Sequence, residues 1–179
     1  MRYFREIDLP DVDTIIAKSL AYIKTLDGVA TGKYGTWNSF DPQGLLTACP
    51  ELVTSFEYYG LRCTYAATFV TTGPTDTPRR LIPHIDNAKF SSTRINLPLL
   101  NCKNTRTEFF SNAVSVLTDE GWRMVTNTDY VLEAYMELST ASVVRVHEPH
   151  RVVVPVGNPV PRVALTLDFD KDPVFLLED

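Results

Sequence analysis

His84 and Asp86 stand two residues apart near the middle of the chain. Because side chains alternate between the two faces of an extended strand, these two side chains would point the same way and Ile85 the other way. A neutral imidazole beside a carboxylate suits a divalent metal such as Fe(II), and one further histidine would complete a facial triad with open coordination positions. The only other histidines, His147 and His150, lie together in a later segment. We therefore expect the third ligand there.

Two other strand-like segments place an arginine on the face opposite a row of apolar residues. Arg94 and Asn96 share one such face, and Arg162 begins another, which continues through Thr166 to Asp168. Burying an unpaired guanidinium costs several kcal/mol, so an arginine on an inward face should meet an anion. A dicarboxylate ligand would supply that anion, because guanidinium binds carboxylate through two parallel hydrogen bonds.

The elements that must position these residues change character near residue 60. Apolar residues at helical spacing predict a helix over 12–26, and Pro42 and Pro50 begin two further helical stretches, the second ending at Gly60. The glycine-containing segment 27–41 between them is predicted to be a loop anchored by Trp37 and Phe40.

From Leu61 onward, the pattern predicts short strands rich in β-branched and aromatic residues. They cover 63–70, 81–86, 92–100, 107–110, 114–117, 130–138, 142–146, 150–156 and 162–169. Many short strands after helices predict a mainly β fold, an antiparallel sandwich or jelly-roll barrel with N-terminal covering helices. We expect one domain over 1–179, with helical cover over about 10–60 and the barrel over about 61–170. The acidic run at Asp168, Asp170 and Asp172 is interpreted as a solvated strand end.

The ordered set of motifs resembles the Fe(II)/2-oxoglutarate-dependent oxygenases, and within them the aspartyl/asparaginyl β-hydroxylase-like branch. The motifs are His84-x-Asp86, Arg94-x-Asn96-Leu97-Pro98, Pro149-His150 and Pro161-Arg162, and the likeness covers about 82–170.

The resemblance implies a double-stranded β-helix, a distorted cupin-like jelly roll, in which His84, Asp86 and His150 hold Fe(II). It also implies that Arg162 pairs with the distal carboxylate of 2-oxoglutarate, and that Arg94 and Asn96 complete the cosubstrate site. The activity implied is hydroxylation of a substrate by O2, with release of succinate and CO2. Some β-hydroxylases lack the carboxylate ligand, so the presence of Asp86 favours a complete triad and weakens transfer of that branch's substrate.

Bulk composition fits an ordinary globular protein and excludes several functions. The chain has 44% hydrophobic and 22% charged residues, and its net charge of -5 argues against a nucleic-acid partner. No apolar run approaches the roughly 20 residues of a spanning helix, and no pattern predicts membrane association. Three cysteines without a CxxC motif predict reduced thiols in a cytoplasmic protein. Without a glycine-rich phosphate loop or a GxSxG motif, nucleotide and acyl-transfer chemistry have no support.

Several alternatives stay open at this point. His147 competes as the distal ligand, although the Pro149-His150 context favours His150. Three other functions are compatible with the pattern. A non-catalytic cupin-like protein could bind metal or a small acid, and a metal-dependent isomerase would need no arginine for a distal carboxylate. A structural jelly roll would leave the three candidate metal ligands apart.

The substrate, a small molecule or a peptidyl group, and the oligomeric state are open. Substrate choice is expected in loops within 73–80, 101–107 and 112–124. For the aromatics Tyr65, Phe69 and Trp122, a core position is favoured over a pocket wall.

Overall fold

Helices cover one side of the structure, a computed structural model that describes residues 1–26, 37–72, 79–80, 82–87 and 89–178. Their bounds are α1 (Val12–Thr25), α2 (Pro42–Ala48), α3 (Pro50–Tyr58) and a 3₁₀ helix (Pro173–Leu177). Proline opens α2 and α3 as predicted, since its missing N–H costs nothing in a first turn, and Asp41 caps α2 by accepting from the Gln43 N–H at 3.0 Å. None of the described helices is long and apolar enough to cross a membrane. The predicted loops at 27–36 and 73–78 lie outside the described residues.

Strands form the body of the fold. They are β1 (Phe4–Glu6), β2 (Trp37–Phe40), β3 (Cys63–Thr71), β4 (Arg79–Arg80), β5 (His84–Ile85), β6 (Thr93–Leu100), β7 (Arg106–Ser111), β8 (Ser115–Leu117), β9 (Arg123–Val125), β10 (Val131–Glu137), β11 (Ser142–Arg145), β12 (His150–Val154) and β13 (Arg162–Phe169). Within the described ranges they pair into two antiparallel sheets. The major sheet has the order β1-β11-β6-β13-β3-β2, and the minor sheet has the order β10-β7-β12-β5-β9-β8, with β4 beside β12. This arrangement confirms the predicted mainly β, jelly-roll fold.

The main core lies between the helices and one face of the major sheet. Leu97 on β6 and Leu165 on β13 are fully buried there, packed in one cluster with Ile15 and Ile23 of α1. Because side chains alternate along a strand, the intervening positions of β6 and β13 face the other way, into the space between the sheets. The predicted division of these two strands into an apolar face and a polar face is confirmed.

One prediction about local structure was wrong, and two elements were not predicted. Residues 37–40, expected in a loop, form β2, an edge strand that places Trp37 opposite Phe69 of β3. This segment is a strand because its backbone pairs with β3, which is distant in the sequence. The glycines that precede it favoured a loop and gave no sign of this pairing. Strand β9 and the 3₁₀ helix were not predicted either.

The acidic run is not a solvated strand end. Asp168 is buried, because β13 is an interior strand of the major sheet, with β6 on one side and β3 on the other. Asp172 accepts hydrogen bonds from the backbone and side chain of Ser92 and from the Thr93 hydroxyl. Only Asp170 is exposed, and it accepts from the Arg62 N–H at 2.9 Å. The pattern of alternating acids therefore reflects internal hydrogen bonding at two of three positions.

Candidate metal centre

Strand pairing in the minor sheet brings two histidines together. His84 on β5 lies directly opposite His150 on β12, and the centroids of their rings are 4.6 Å apart. Asp86 follows β5 immediately, and its N–H donates to the Val146 carbonyl at 2.9 Å, which fixes the backbone at the ligand. One potential ligand atom from each of His84, Asp86 and His150 lies within 4.8 Å of the others. The three predicted metal ligands therefore meet in space.

Backbone carbonyls set the tautomers of both imidazoles. The Nδ1 atom of His84 is 2.9 Å from the Ile82 carbonyl oxygen, and that of His150 is 2.8 Å from the Glu148 carbonyl oxygen. A carbonyl can only accept, so Nδ1 carries the proton in the neutral rings and Nε2 presents its lone pair. The two Nε2 atoms face Oδ1 of Asp86, at 3.5 and 3.7 Å. Such carbonyl contacts are the usual orienting partners of metal-binding histidines.

The pKa shifts of Asp86 and His150 favour their metal-binding forms, whereas that of His84 does not. Burial would raise the pKa of Asp86, but the hydrogen bond from His84 and the charges of His150 and Arg94 outweigh it, so the pKa is lowered. Burial and repulsion from His84 lower the pKa of His150 to about 4. For His84, burial acts to lower the pKa, but the hydrogen bond and charge of Asp86 raise it overall. Shifted groups gathered in one cavity are typical of functional sites.

Arg94 orients Asp86, the candidate carboxylate ligand, by a hydrogen bond. Its side chain is fully buried, its Nη1 donates to Oδ2 of Asp86 at 3.0 Å, and its Nε donates to Oδ1 of Asp168 at 3.2 Å. The rings of Phe90 and Trp37 lie 4.2 and 5.3 Å from its guanidinium carbon. The contact with Oδ2 leaves Oδ1 of Asp86 facing the histidines. The Nη2 atom of Arg94 is buried and has no hydrogen-bond partner among the described residues.

The guanidinium of Arg162 has no carboxylate partner among the described residues. Only 2% of its surface is exposed, and burial lowers its pKa. Its Nε donates to the Thr105 hydroxyl at 3.2 Å, while its Nη1 is buried without a partner. No carboxylate of the described residues forms a salt bridge with it. Since an unpaired buried charge costs several kcal/mol, the arrangement calls for an anionic ligand.

One cavity joins these features. It has a volume of about 390 Å³, and the metal-ligand candidates, Arg94, Asn96 and Arg162 all line it. The Asn96 side-chain oxygen accepts from the Thr166 hydroxyl at 2.9 Å. His147 lies outside the ligand cluster, between β11 and β12, with its Nε2 buried and unpaired among the described residues. The cavity is of ordinary size for a small-molecule site.

The donor set fits a facial metal site. Two imidazole nitrogens and one carboxylate oxygen converge from one strand pair and the residue that follows it, and the cavity lies on their open side. This ligand set is typical of non-haem Fe(II) centres with free coordination positions. The unpaired Arg162 supplies a second, independent requirement for a charged ligand in the same space.

Five residues of the site were not identified from the sequence. Asp168 and Thr105 hold the two arginines, and Trp37 and Trp122 line the cavity. Asp168 had a usable signal, because it shares the alternating face of β13 with Arg162 and Thr166. The others had none, since Thr105 precedes a strand, Trp37 was placed in a loop and Trp122 was assigned to the core. Phe69, also assigned to the core, lines the cavity as well.

Comparison with known proteins identifies a shared fold. No family model and no curated protein matches the sequence. Among solved structures, the chain is similar to the epimerase SnoN in complex with Fe3+, alpha-ketoglutarate and nogalamycin RO, with a TM-score of 0.57 and 14% identity over 99% of this chain and 85% of that one. It is also similar to the non-heme monooxygenase ThoJ in its apo form, with a TM-score of 0.53 and 14% identity over 94% of this chain and 74% of that one. Identity this low demonstrates likeness of fold alone.

Proposed function

We propose that this protein is a non-haem Fe(II)- and 2-oxoglutarate-dependent dioxygenase that hydroxylates its substrate. The observation that carries the proposal is the joint presence, in one cavity, of the His84, Asp86 and His150 ligand atoms and the unpaired guanidinium of Arg162. The triad alone would suit any cupin-like metal protein. The buried arginine adds a need for an organic anion, which metal binding alone does not explain.

The charges of the cavity support the same reading. With both carboxylates ionised and both histidines neutral, the charges of Asp86 in the cavity and of Asp168, which pairs with Arg94, balance those of Arg94 and Arg162. A divalent cation alone, or a dicarboxylate alone, would leave two uncompensated charges in a buried space. Bound together they cancel, which avoids the large electrostatic cost of an unbalanced interior.

Each residue then has a defined task. His84, Asp86 and His150 would hold the metal facially, Arg162 would bind the distal carboxylate of 2-oxoglutarate, and Arg94 keeps Asp86 oriented. When bound, the iron would supply the oxidation: one atom of O2 enters a substrate C–H bond as hydroxyl, the other enters succinate, and decarboxylation of 2-oxoglutarate to CO2 provides the two electrons. The chain contributes orientation and a cavity wall that limits access of water.

The comparisons support the proposal at the level of fold. The structure of SnoN, which has a similar fold, contains Fe3+ and alpha-ketoglutarate, and ThoJ is described as a non-heme monooxygenase. Membership of the aspartyl/asparaginyl β-hydroxylase-like branch remains a prediction.

Anaerobic titration of the protein with Fe(II) and 2-oxoglutarate tests the proposal. We expect the weak visible charge-transfer band of the metal chelate, and its loss at the same ligand concentrations in Arg162→Met. Arg62→Met is a matched control, because Arg62 is largely exposed and its one salt bridge among the described residues is with Asp170. Absence of the band in the unmodified protein would refute the proposal. Binding without any succinate after admission of air would favour the non-catalytic cupin-like alternative.

A further inference from the structure

Among the described residues, the part of the cavity wall not formed by the candidate metal ligands and the two arginines is uncharged. It is formed mostly by apolar and aromatic side chains, including Trp37, Trp122 and Met124. Of its few polar groups, Asn96 and Thr166 already hydrogen-bond to each other. A substrate that enters this space meets hydrocarbon and aromatic surface next to the metal ligands.

A row of side chains extends this surface from the metal ligands to the edge of the minor sheet. His150 is opposite His84, His84 is opposite Met124 of β9, and Met124 is opposite Val116 of β8. Directly opposed residues share a face of the sheet, so the row starts at the two imidazoles and ends at Val116. Val116 is 57% exposed and is paired with Met124, which lines the cavity. Exposed apolar surface that adjoins a cavity is typical of a binding site.

Two tryptophans from different sheets meet beside the same ligands. Trp37 on β2 and Trp122, just before β9, have ring centroids 6.3 Å apart in an edge-to-face arrangement. The Trp122 ring lies 5.9 Å from that of His84. The Trp37 indole N–H donates to the Tyr65 hydroxyl at 3.1 Å, whereas that of Trp122 finds no acceptor among the described residues. The ring of Trp37 is therefore fixed by a hydrogen bond, and the indole N–H of Trp122 is available to donate to a ligand.

We propose that the substrate is an uncharged, hydrophobic ring compound that lies against Trp37, Trp122, Met124 and Val116 and carries an acceptor for the Trp122 N–H. Planar rings gain from offset or edge-to-face contact with indole beyond the area they bury. An amino acid or acidic peptide would instead bury charges for which the described part of this wall offers no partner. The inference rests on the proposed oxygenase function and gives it a substrate class different from the one that the β-hydroxylase resemblance suggests.

Intrinsic fluorescence provides a direct readout, because Trp37 and Trp122 are the only two tryptophans of the chain. The probe is N-phenyl-1-naphthylamine, a neutral ring compound that accepts energy from excited tryptophan. It is titrated into protein loaded with Zn(II) and 2-oxoglutarate, so that no turnover occurs. We expect saturable quenching of the tryptophan emission, with affinity roughly tenfold higher than for its sulfonated analogue, 1-anilinonaphthalene-8-sulfonate.

Substitutions at two residues of the proposed site, with a matched valine control elsewhere, test where the probe binds. Val116→Ser and Trp122→Phe should weaken its binding roughly threefold to tenfold, as measured from the emission of the probe itself. Val131→Ser is the matched control, a valine 52% exposed on β10 at the opposite edge of the same sheet, and should leave the affinity unchanged. Unsaturable quenching, equal affinity for the two probes, or an equal loss in Val131→Ser would overturn the proposal.

Calorimetry with 2-oxoglutarate on the same samples separates this inference from the function on which it rests. If 2-oxoglutarate binds and the neutral probe does not, the substrate class is wrong while the oxygenase proposal stands. If the neutral probe binds and 2-oxoglutarate does not, the apolar site stands and the oxygenase proposal fails.

Discussion

His84 and His150 are direct cross-strand partners in the antiparallel pairing of β5 with β12. Two candidate ligands that are far apart along the chain are thus held by one backbone ladder, and each Nδ1 is anchored to a carbonyl of its own segment. The geometry of the site depends on strand pairing more than on the packing of flexible side chains. Such a site is already organised before a ligand arrives.

The histidine assignment can be tested with paired glutamine variants. His150→Gln should lower Co(II) affinity by at least roughly a hundredfold, since even the loss of a residue that only orients a ligand costs up to about this factor. His147→Gln should bind Co(II) as the unmodified protein does, because His147 lies outside the ligand cluster. Calorimetric titration measures both affinities. A larger loss of Co(II) affinity in His147→Gln than in His150→Gln would identify His147 as the ligand instead.

Arg94 should act on metal affinity through Asp86. In Arg94→Met the carboxylate loses the donor on Oδ2, and we expect Co(II) affinity to fall roughly tenfold to a hundredfold. The variant also leaves Asp86 and Asp168 as unpaired buried carboxylates, which should lower the free energy of unfolding by roughly 3–5 kcal/mol. Adding Asp168→Asn should recover part of that stability without restoring metal affinity. Urea denaturation and calorimetry report the two effects separately, and unchanged metal binding would argue against the orienting role.

Replacing Thr105 should lower the affinity for 2-oxoglutarate without changing the affinity for the metal. Thr105→Val removes the acceptor for Arg162 Nε, so the guanidinium is held less well and 2-oxoglutarate affinity should fall about tenfold at constant Co(II) affinity. The matched control is Thr71→Val, because Thr71 is also buried, lies opposite Arg162 on β3, and its hydroxyl has no described partner. Equal losses in the two variants would indicate a general packing effect.

Metal and 2-oxoglutarate should bind cooperatively, because each supplies the charge that the other lacks in the cavity. We expect each ligand to raise the affinity for the other at least roughly tenfold, by the same factor in both orders of addition, as thermodynamic linkage requires. Titration of Zn(II) with and without 2-oxoglutarate, and the converse, measures the coupling. Independent binding would show that the two ligands do not share the cavity.

Asp172 should make stability depend on pH in the acidic range. Burial would raise the pKa of Asp172, but hydrogen bonds from Ser92 and Thr93 outweigh it and lower the pKa below its ordinary value. The folded state therefore favours the carboxylate, and this stabilisation is present above about pH 4 and is lost as the pH falls toward the lowered pKa. The difference in free energy of unfolding between the unmodified protein and Asp172→Asn should shrink as the pH falls from about 5 to about 2. Asp119→Asn, at an exposed site, is the control, and a pH-independent difference for Asp172→Asn would contradict the prediction.

The sequence by itself determined the features that depend on neighbouring residues. Alternation along β6 and β13 indicated that Arg94, Asn96 and Arg162 share a face opposite the apolar core, and two prolines marked the starts of α2 and α3. These signals are local, because the pleat of a strand and the first turn of a helix are set within a few residues.

Only the tertiary structure decided which residues meet. The register of β5 on β12 puts His150 beside His84 and leaves His147 out, and the pairing of β6 with β13 places Asp168 where it can hold Arg94. Likewise, the pairing of β2 with β3 places Trp37, which was predicted to lie in a loop, in the cavity wall. Strand register is fixed by long-range hydrogen bonding and burial, and a shift of one residue reverses every side chain, so neighbouring residues in the sequence do not determine it.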